Sequence, residues 1–269
     1  MRITFIGGGN MASALIGGLL KQGWTPDSIG AVEIDAAARA RLERDFGIST
    51  AADPGTAAGS DCIVLAVKPQ QLREVARGLA GAIGDALVIS IAAGVRASDL
   101  ARWLGGHARL VRAMPNTPAL VLAGMTGLYA ASGVGPEDRK QAEAVLGAAG
   151  RTVWVKDEGE IDAVTAISGS GPAYVFYFVE ALQQAAVELG FSPATARELA
   201  FQTFAGAVKL ASESPDDVAT LRAKVTSKGG TTERAIAQFD ADGLKAAIVR
   251  AARAAAERSR ELGDALGAD

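Results

Sequence analysis

Two glycine turns in this chain carry the residue types that can grip anions. One is Thr226-Ser227-Lys228-Gly229-Gly230-Thr231-Thr232-Glu233, which runs into the helical pattern Arg234-Ala235-Ile236-Ala237-Gln238-Phe239. The other, Gly7-Gly8-Gly9-Asn10-Met11-Ala12, lies far upstream and follows a strand-like run, Arg2-Ile3-Thr4-Phe5-Ile6. The first N–H groups of a helix lack intrahelical acceptors and face the positive end of its dipole, so each turn can hold a negative charge. The 226–233 turn has a plainer alternative, an ordinary N-cap of Thr or Ser with Glu nearby. Two anion sites of different size suggest a cofactor and a substrate.

The upstream turn fits G-x-G-x-x-A where that pattern has meaning, after a strand and before a helix. Gly7 permits the tight turn, Gly9 lets the backbone approach a pyrophosphate, and small Ala12 allows close packing of helix on strand; Ile6 and Gly8 belong to the same wall. After the second strand, Glu33 and Asp35 stand where an acid hydrogen-bonds the adenosine ribose, which favours NAD over NADP. Asp35 reads equally as the N-cap of a helix over 36–46. Ala66-Val67-Lys68-Pro69 and Ile91-Ala92-Ala93 each follow a predicted parallel strand, and ligands of such sheets sit beyond the strands' carboxyl ends. Asn116, in Met114-Pro115-Asn116-Thr117-Pro118, can orient a nicotinamide or a nearby water, or simply form a turn between two prolines.

Other chemistries lack their residues. The single cysteine, Cys62, lies inside the apolar run 61–67, which excludes an intrachain disulfide and reads as a buried, inert thiol. With His107 as the only histidine, neither a His-based triad nor a multi-His metal site can be built from one chain, and no metal is expected. The net charge is −3, and no continuous basic stripe is present, so nucleic acid and anionic membrane are disfavoured as partners. There is no secretory leader pattern and no bilayer-length apolar run, and the default expectation is a cytoplasmic protein.

The elements that must position these residues divide the chain. Of 269 residues, 49% are hydrophobic, enough for well-filled cores. From 1 to 156, strand-like runs at 2–6, 29–34, 62–67, 87–91 and 110–113 alternate with helical patterns at 11–22, 36–46, 71–79 and 97–104. That order predicts a doubly wound parallel sheet, an α/β Rossmann-like domain completed by 125–130 and 151–155 flanking a helix over 137–148. From 157 to 269 the pattern is all-α, with helices at 172–189, 193–212, 232–239 and 244–262. The stretch Ala173-Tyr174-Val175-Phe176-Tyr177-Phe178-Val179 is apolar all round and must be covered, which points to a second subunit. Ser168-Gly169-Ser170-Gly171-Pro172 opens that helix, either as a plain start loop or as a pocket wall.

Taken together, GGGNMA at 7–12, AVKPQ at 66–70, MPNTP at 114–118, DAVTAISGSGPAY at 162–174 and TSKGGTT at 226–232 resemble pyrroline-5-carboxylate reductase, in the family's order and across essentially the whole chain. The resemblance implies a Rossmann domain, a helical dimerisation domain, and reduction of 1-pyrroline-5-carboxylate to L-proline by NADPH or NADH in a homodimer or an assembly of dimers. The cofactor contacts it implies fall on Gly7, Gly9, Asn10 and Met11, on Ala66 to Pro69, and on Ile91 to Ala93. Its substrate loop falls on Ser227, Gly230, Thr231 and Thr232, with Glu158 as an acidic substrate-side position. Three positions depart from the pattern: Glu33-Ile34-Asp35 replaces residues that cradle a 2′-phosphate, Asp53 replaces an adenine-side Asn, and Lys224 replaces an Asn before the substrate loop.

The implied chemistry is hydride transfer to a C=N carbon, the cofactor carrying the hard step and the protein supplying position and electrostatics. The 227–232 turn suits the substrate carboxylate, and Thr232 can offer its hydroxyl to the ring nitrogen. Two alternatives stand beside it: a reductase of another cyclic imine or a β-hydroxyacid, and a non-catalytic nucleotide-binding regulator. Alcohol chemistry needs a base, and the helix over 173–190 contains no Lys.

Overall fold

The computed structural model describes residues 1–268. Its elements, in chain order, are β1 (Ile3–Ile6), α1 (Asn10–Lys21), β2 (Ile29–Val32), α2 (Ala36–Phe46), β3 (Ser49–Ala51), β4 (Cys62–Leu65), α3 (Pro69–Leu79), β5 (Leu87–Ser90), α4 (Ala97–Trp103), β6 (Leu110–Met114), β7 (Gly124–Ala130), α5 (Pro136–Leu146), β8 (Gly150–Trp154), α6 (Glu160–Val164), α7 (Gly171–Glu188), α8 (Pro193–Glu213), α9 (Val218–Lys224), α10 (Thr231–Ala241) and α11 (Leu244–Gly267).

The eight strands form one sheet in the order β3-β2-β1-β4-β5-β6-β7-β8. Strands β1, β4 and β5 are buried throughout, as their predominantly apolar runs require of parallel strands covered on both faces. The sheet is parallel from β3 to β6, but β7 runs antiparallel to β6. The doubly wound, Rossmann-like sheet is thus mostly parallel, with one reversed strand. Only residues 115–123 join β6 to β7, too few for a parallel crossover, which takes a dozen or more. Helix α5 then restores a parallel pairing of β7 with β8.

Local chemistry sets several boundaries. Asp35 accepts the Ala37 N–H at 3.1 Å to cap α2, which ends at Gly47 in the left-handed region (φ +68°). Sequence patterning misses β3, α6 and a π-helical turn at Thr165–Gly169, while the helix start marked at Pro215 falls just before α9.

Packing divides the chain into two compact units, one of 1–170 completed by the chain from Ala254 onward, the other Gly171–Arg253. The division read from the pattern, at 156/157, thus differs from the packed one. Residues 157–170 remain with the sheet domain, and α11 starts in the second unit and ends in the first. In the second unit α7 packs against α8. Among the described residues, no helix is long and apolar enough to cross a membrane.

Candidate active site

The sheet order reverses between β2 and β4 at β1, and a crevice opens there at the strands' carboxyl ends. Gly7 (φ +104°) lies so close to the end of β4 that a Cβ on it would stand 2.8 Å from the Ala66 carbonyl oxygen. A Cβ on Gly9, by contrast, would meet open space. Gly9 is the N-cap of α1, and no side chain caps that end. Backbone donors without a side-chain acceptor, next to open space on a glycine, fit a dinucleotide pyrophosphate. The cavity measures about 670 Å³ and is lined by Ile6, Gly7, Gly8, Gly9, Glu33, Ala66, Val67 and Lys68, and further out by Gln71 and Val75 of α3. Asn10 and Met11 open α1 beside it, and Pro69 opens α3 behind Lys68, again without a side-chain cap.

Glu33 is held at the floor of this crevice. Its carboxylate accepts the Gly8 N–H at 2.7 Å and the Asp35 N–H at 2.9 Å. A Cβ on Gly8 would stand 2.8 Å from a Leu42 methyl and 3.3 Å from the Glu33 side chain, both of which would have to shift. Arg39 and Arg41 of α2 brace the same corner through backbone carbonyls, Arg39 on Glu33 and Ile34, Arg41 on Gly8. Asp35 caps α2 and, like Glu33, lines the cavity.

At the neighbouring strand ends, Ile91, Ala92 and Ala93 follow β5, and Ala92 leans its N–H toward the Ser90 hydroxyl (3.4 Å). Asn116 is committed to the scaffold. Its amide donates to the Ser168 carbonyl (3.1 Å) and hydroxyl (3.2 Å), and its oxygen accepts the Met125 N–H (2.9 Å). It clasps the β6–β7 connection to the π-helical turn, whose Gly169 stands so near Met114 that a Cβ would come within 2.6 Å. Turns of this kind recur at functional sites. Ser168 therefore belongs to a helical wall and not to a simple start loop.

In the second unit, Gly230 is the N-cap of α10 and no side chain caps that end. This corrects the plain N-cap reading of the 226–233 turn. Thr226 bonds back to the Arg222 carbonyl, and the Glu233 carboxylate accepts the Gly229 N–H at 2.7 Å. The turn closes by Gly230 N–H on the Ser227 carbonyl (3.0 Å), where a Cβ on Gly230 would clash with the Ser227 hydroxyl. Thr231 and Thr232 thus open a helix with their amides unclaimed by any side chain.

Elsewhere the side chains are quiet. Burial pushes the Cys62 thiol up to about 12, with the Asp61 charge adding to it. His107 bonds the Ala86 carbonyl through Nε2 at 2.9 Å.

Comparison with known proteins decides the family. Residues 158–262 match the family model for pyrroline-5-carboxylate reductase dimerisation, and residues 2–94 match that described as NADP oxidoreductase, coenzyme F420-dependent. A pyrroline-5-carboxylate reductase of Pseudomonas aeruginosa is 46% identical over 268 residues, spanning 99% of this chain and 98% of the relative. The chain belongs to the pyrroline-5-carboxylate reductase family. The solved structure of the family's Coxiella burnetii enzyme superposes with a TM-score of 0.93 at 41% identity, covering 97% of this chain and 98% of that one. The Plasmodium falciparum pyrroline carboxylate reductase, solved with NADP bound, gives 0.87 at 29% identity, with 98% of each chain covered.

Within a reductase of this family, the remaining carried-over positions have specific surroundings here. Glu158 accepts the Ala97 N–H (2.6 Å) at the start of α4 and the Arg112 guanidinium (3.0 Å), so its carboxylate is engaged inside the sheet unit. Lys224 pairs with Asp216, and Asp53 caps a 3₁₀ turn through the Gly55 N–H. Arg112 is the residue that sequence reading misses. It is buried on β6 and also lies 3.8 Å from Asp162. Its signal was a lone charge inside the apolar strand Leu110–Met114, since charges are almost never fully buried unless paired.

Proposed function

We propose that this chain reduces 1-pyrroline-5-carboxylate to L-proline with NADPH or NADH, the last step of proline biosynthesis, as a cytoplasmic homodimer able to assemble further, without nucleic-acid or membrane partners. Residues 1–156 serve the dinucleotide, and 157–269 serve substrate and dimerisation. The observation that carries this reading is the pair of helix N-termini, at Gly9 and Gly230, each built on glycine and left without a side-chain cap. Two anions, a pyrophosphate and a carboxylate, are what such a pair can take.

A bound reduced nicotinamide supplies the hydride that goes to the imine carbon. The chain's own part is to hold and orient. Gly7 to Met11 receive the pyrophosphate; Glu33 receives the adenosine ribose hydroxyls; Ala66 to Pro69 and Ile91 to Ala93 form the wall toward the nicotinamide. Asn116, read as part of the cofactor side of the site, is held in place through Ser168 and Met125. The amides of Thr231 and Thr232, with Ser227 and Gly230, clamp the substrate carboxylate. The Thr232 hydroxyl donates to the ring nitrogen as the electron pair localises there. An imine that arrives protonated already carries its proton, so no strong acid is required. Glu158 supports the site from behind, through α4 and Arg112.

The test is oxidation of NADH and NADPH by the purified protein with pyrroline-5-carboxylate beside pyrroline-2-carboxylate. Turnover on the first with proline as product is expected. Preferential turnover on the second overturns the substrate, and cofactor binding without turnover on either makes the chain a nucleotide-binding regulator.

A further inference from the structure

We infer that the last turns of α11 are part of the hydride-transfer end of the sheet domain, with Ser259 and Asp264 acting as positioning residues for the two wall segments that they touch. The first segment is the loop after β5. Gly263 lies directly on it, so that a Cβ there would stand 3.1 Å from the Gly94 carbonyl oxygen, and Arg96, two residues on, donates to Asp264 at 2.7 Å. The second is α6 with its π-helical turn. The buried Ser259 hydroxyl donates to Asp162 Oδ1 at 2.6 Å, and three residues after Asp162 begins the turn that Asn116 clasps.

These contacts close into a ring. Asp162 faces Arg112 (3.8 Å), Arg112 donates to Glu158 (3.0 Å), and Glu158 accepts the Ala97 N–H (2.6 Å). Ala97 follows Arg96, which returns to α11 through Asp264. Every wall segment in the ring is therefore tied both to β6 and to the same two turns of one helix.

Burial decides what such a ring is for. Taking charges out of water costs about as much as their pairing returns, so a buried ionic cluster is weak evidence for stability. Arg112 and Asp162 are both buried, and Asp162 Oδ2 has no hydrogen-bond partner among the described residues. An apolar patch would have held α11 at least as firmly. What directional bonds add is register, and a displacement of about 1 Å in a reacting pair can lower a rate about a hundredfold.

The inference rests on the proposed reductase reaction, so the wild type is assayed alongside. Ser259→Ala should lower kcat about tenfold and raise the primary isotope effect from cofactor deuterated at the transferring carbon, because misaligned hydride transfer becomes more rate-limiting. The cofactor's dissociation constant should stay within about twofold, since Gly7 to Met11 remain intact. A kcat and isotope effect at wild-type values, whatever the melting temperature, overturn the inference. Asp264→Asn is the second variant: its carboxylate is 74% exposed, so folding is safe, and it should move kcat and the isotope effect in the same direction by less. Asp264→Glu should restore both. If Ser259→Ala does not fold and Asp264→Asn leaves both quantities unchanged, the inference fails. A wild type that makes no proline undermines the assigned reaction instead.

Discussion

Thr232 separates a catalytic role from a capping one, because its amide and its hydroxyl do different work. Thr232→Ala spares the backbone donor and removes only the hydroxyl. Loss of a donor aimed at developing charge lowers turnover about a hundredfold, whereas loss of a cap costs about 1 kcal/mol of stability. Since Gly230 and not a threonine caps α10, the expected result is a large fall in proline formation with unchanged cofactor affinity and melting temperature. Activity at the wild-type level with lowered stability would remove Thr232 from the mechanism. Glu33 is the second residue with a sharp readout. Its carboxylate is pinned by two amides at the floor of the crevice, and on the proposed assignment to the ribose it would repel a 2′-phosphate, with Arg39 and Arg41 braced on carbonyls nearby. Both cofactors are expected to work. Glu33→Gln should shift the ratio of kcat/KM for NADPH over NADH upward by about tenfold, or about 1.4 kcal/mol, which steady-state kinetics will show. An overwhelming NADPH preference in the wild type would mean that Glu33 does not read the ribose.

At the scale of elements, α5 shows how a helix start reports on pH. Asp138 takes the Gly135 N–H at 3.0 Å and the Arg109 guanidinium at 2.6 Å. Pairing with Arg109 holds its carboxyl below the usual carboxylate range, with the Gly135 bond adding to the effect. Its folded pKa thus lies below the unfolded value, so the stability it contributes is present above about pH 4 and lost as pH falls through the folded value. Asp138→Asn should cost about 1–2 kcal/mol at pH 7, toward the lower figure because the Arg109 side chain is 38% exposed and screened by water. Urea unfolding at pH 7 and pH 3 checks this: the gap between variant and wild type should narrow in acid. What was legible in the sequence follows the range of the forces. Helix α2 reads correctly from Ala36 to Phe46 because Asp35 and Gly47 act within a turn of its ends. The glycine turn at 7–12 reads correctly because strand, turn and helix are contiguous. The reversal of β7 escapes because local patterning carries no strand direction. The Arg112 ring escapes because its partners lie far apart, Glu158 by 46 positions and Asp162 further on.

For the whole molecule, the exposed aromatics of α7 set the oligomer. Phe176 is 64% and Tyr177 71% exposed in the single chain, within the stretch 173–179 of α7 that carries no charged or amide side chain. The family's dimerisation match covers this helix, and a homodimer is the smallest stable unit expected. Burying one such side chain is worth about 1.5–3 kcal/mol. Phe176→Ser with Tyr177→Ser should therefore weaken the dimer by well over about tenfold, read by sedimentation across a dilution series. A folded, active monomer of the wild type would contradict this.

The return of α11 to the first unit bears on the order of synthesis. Domains generally fold as they emerge, the N-terminal one first. Here the sheet and its glycine turn are made early, yet the turns carrying Ser259, Gly263 and Asp264 reach the ribosome exit only after all of the second unit. Until then, Asp162 and Arg112 have no helix to close their ring, and the loop at Gly94 has nothing lying on it. The nascent sheet domain can collapse around its apolar strands, but the segments at Gly94–Arg96 and Asp162 receive their α11 contacts last. Those last turns of α11 are thus the final part of the first unit to be made, after the whole of Gly171–Arg253.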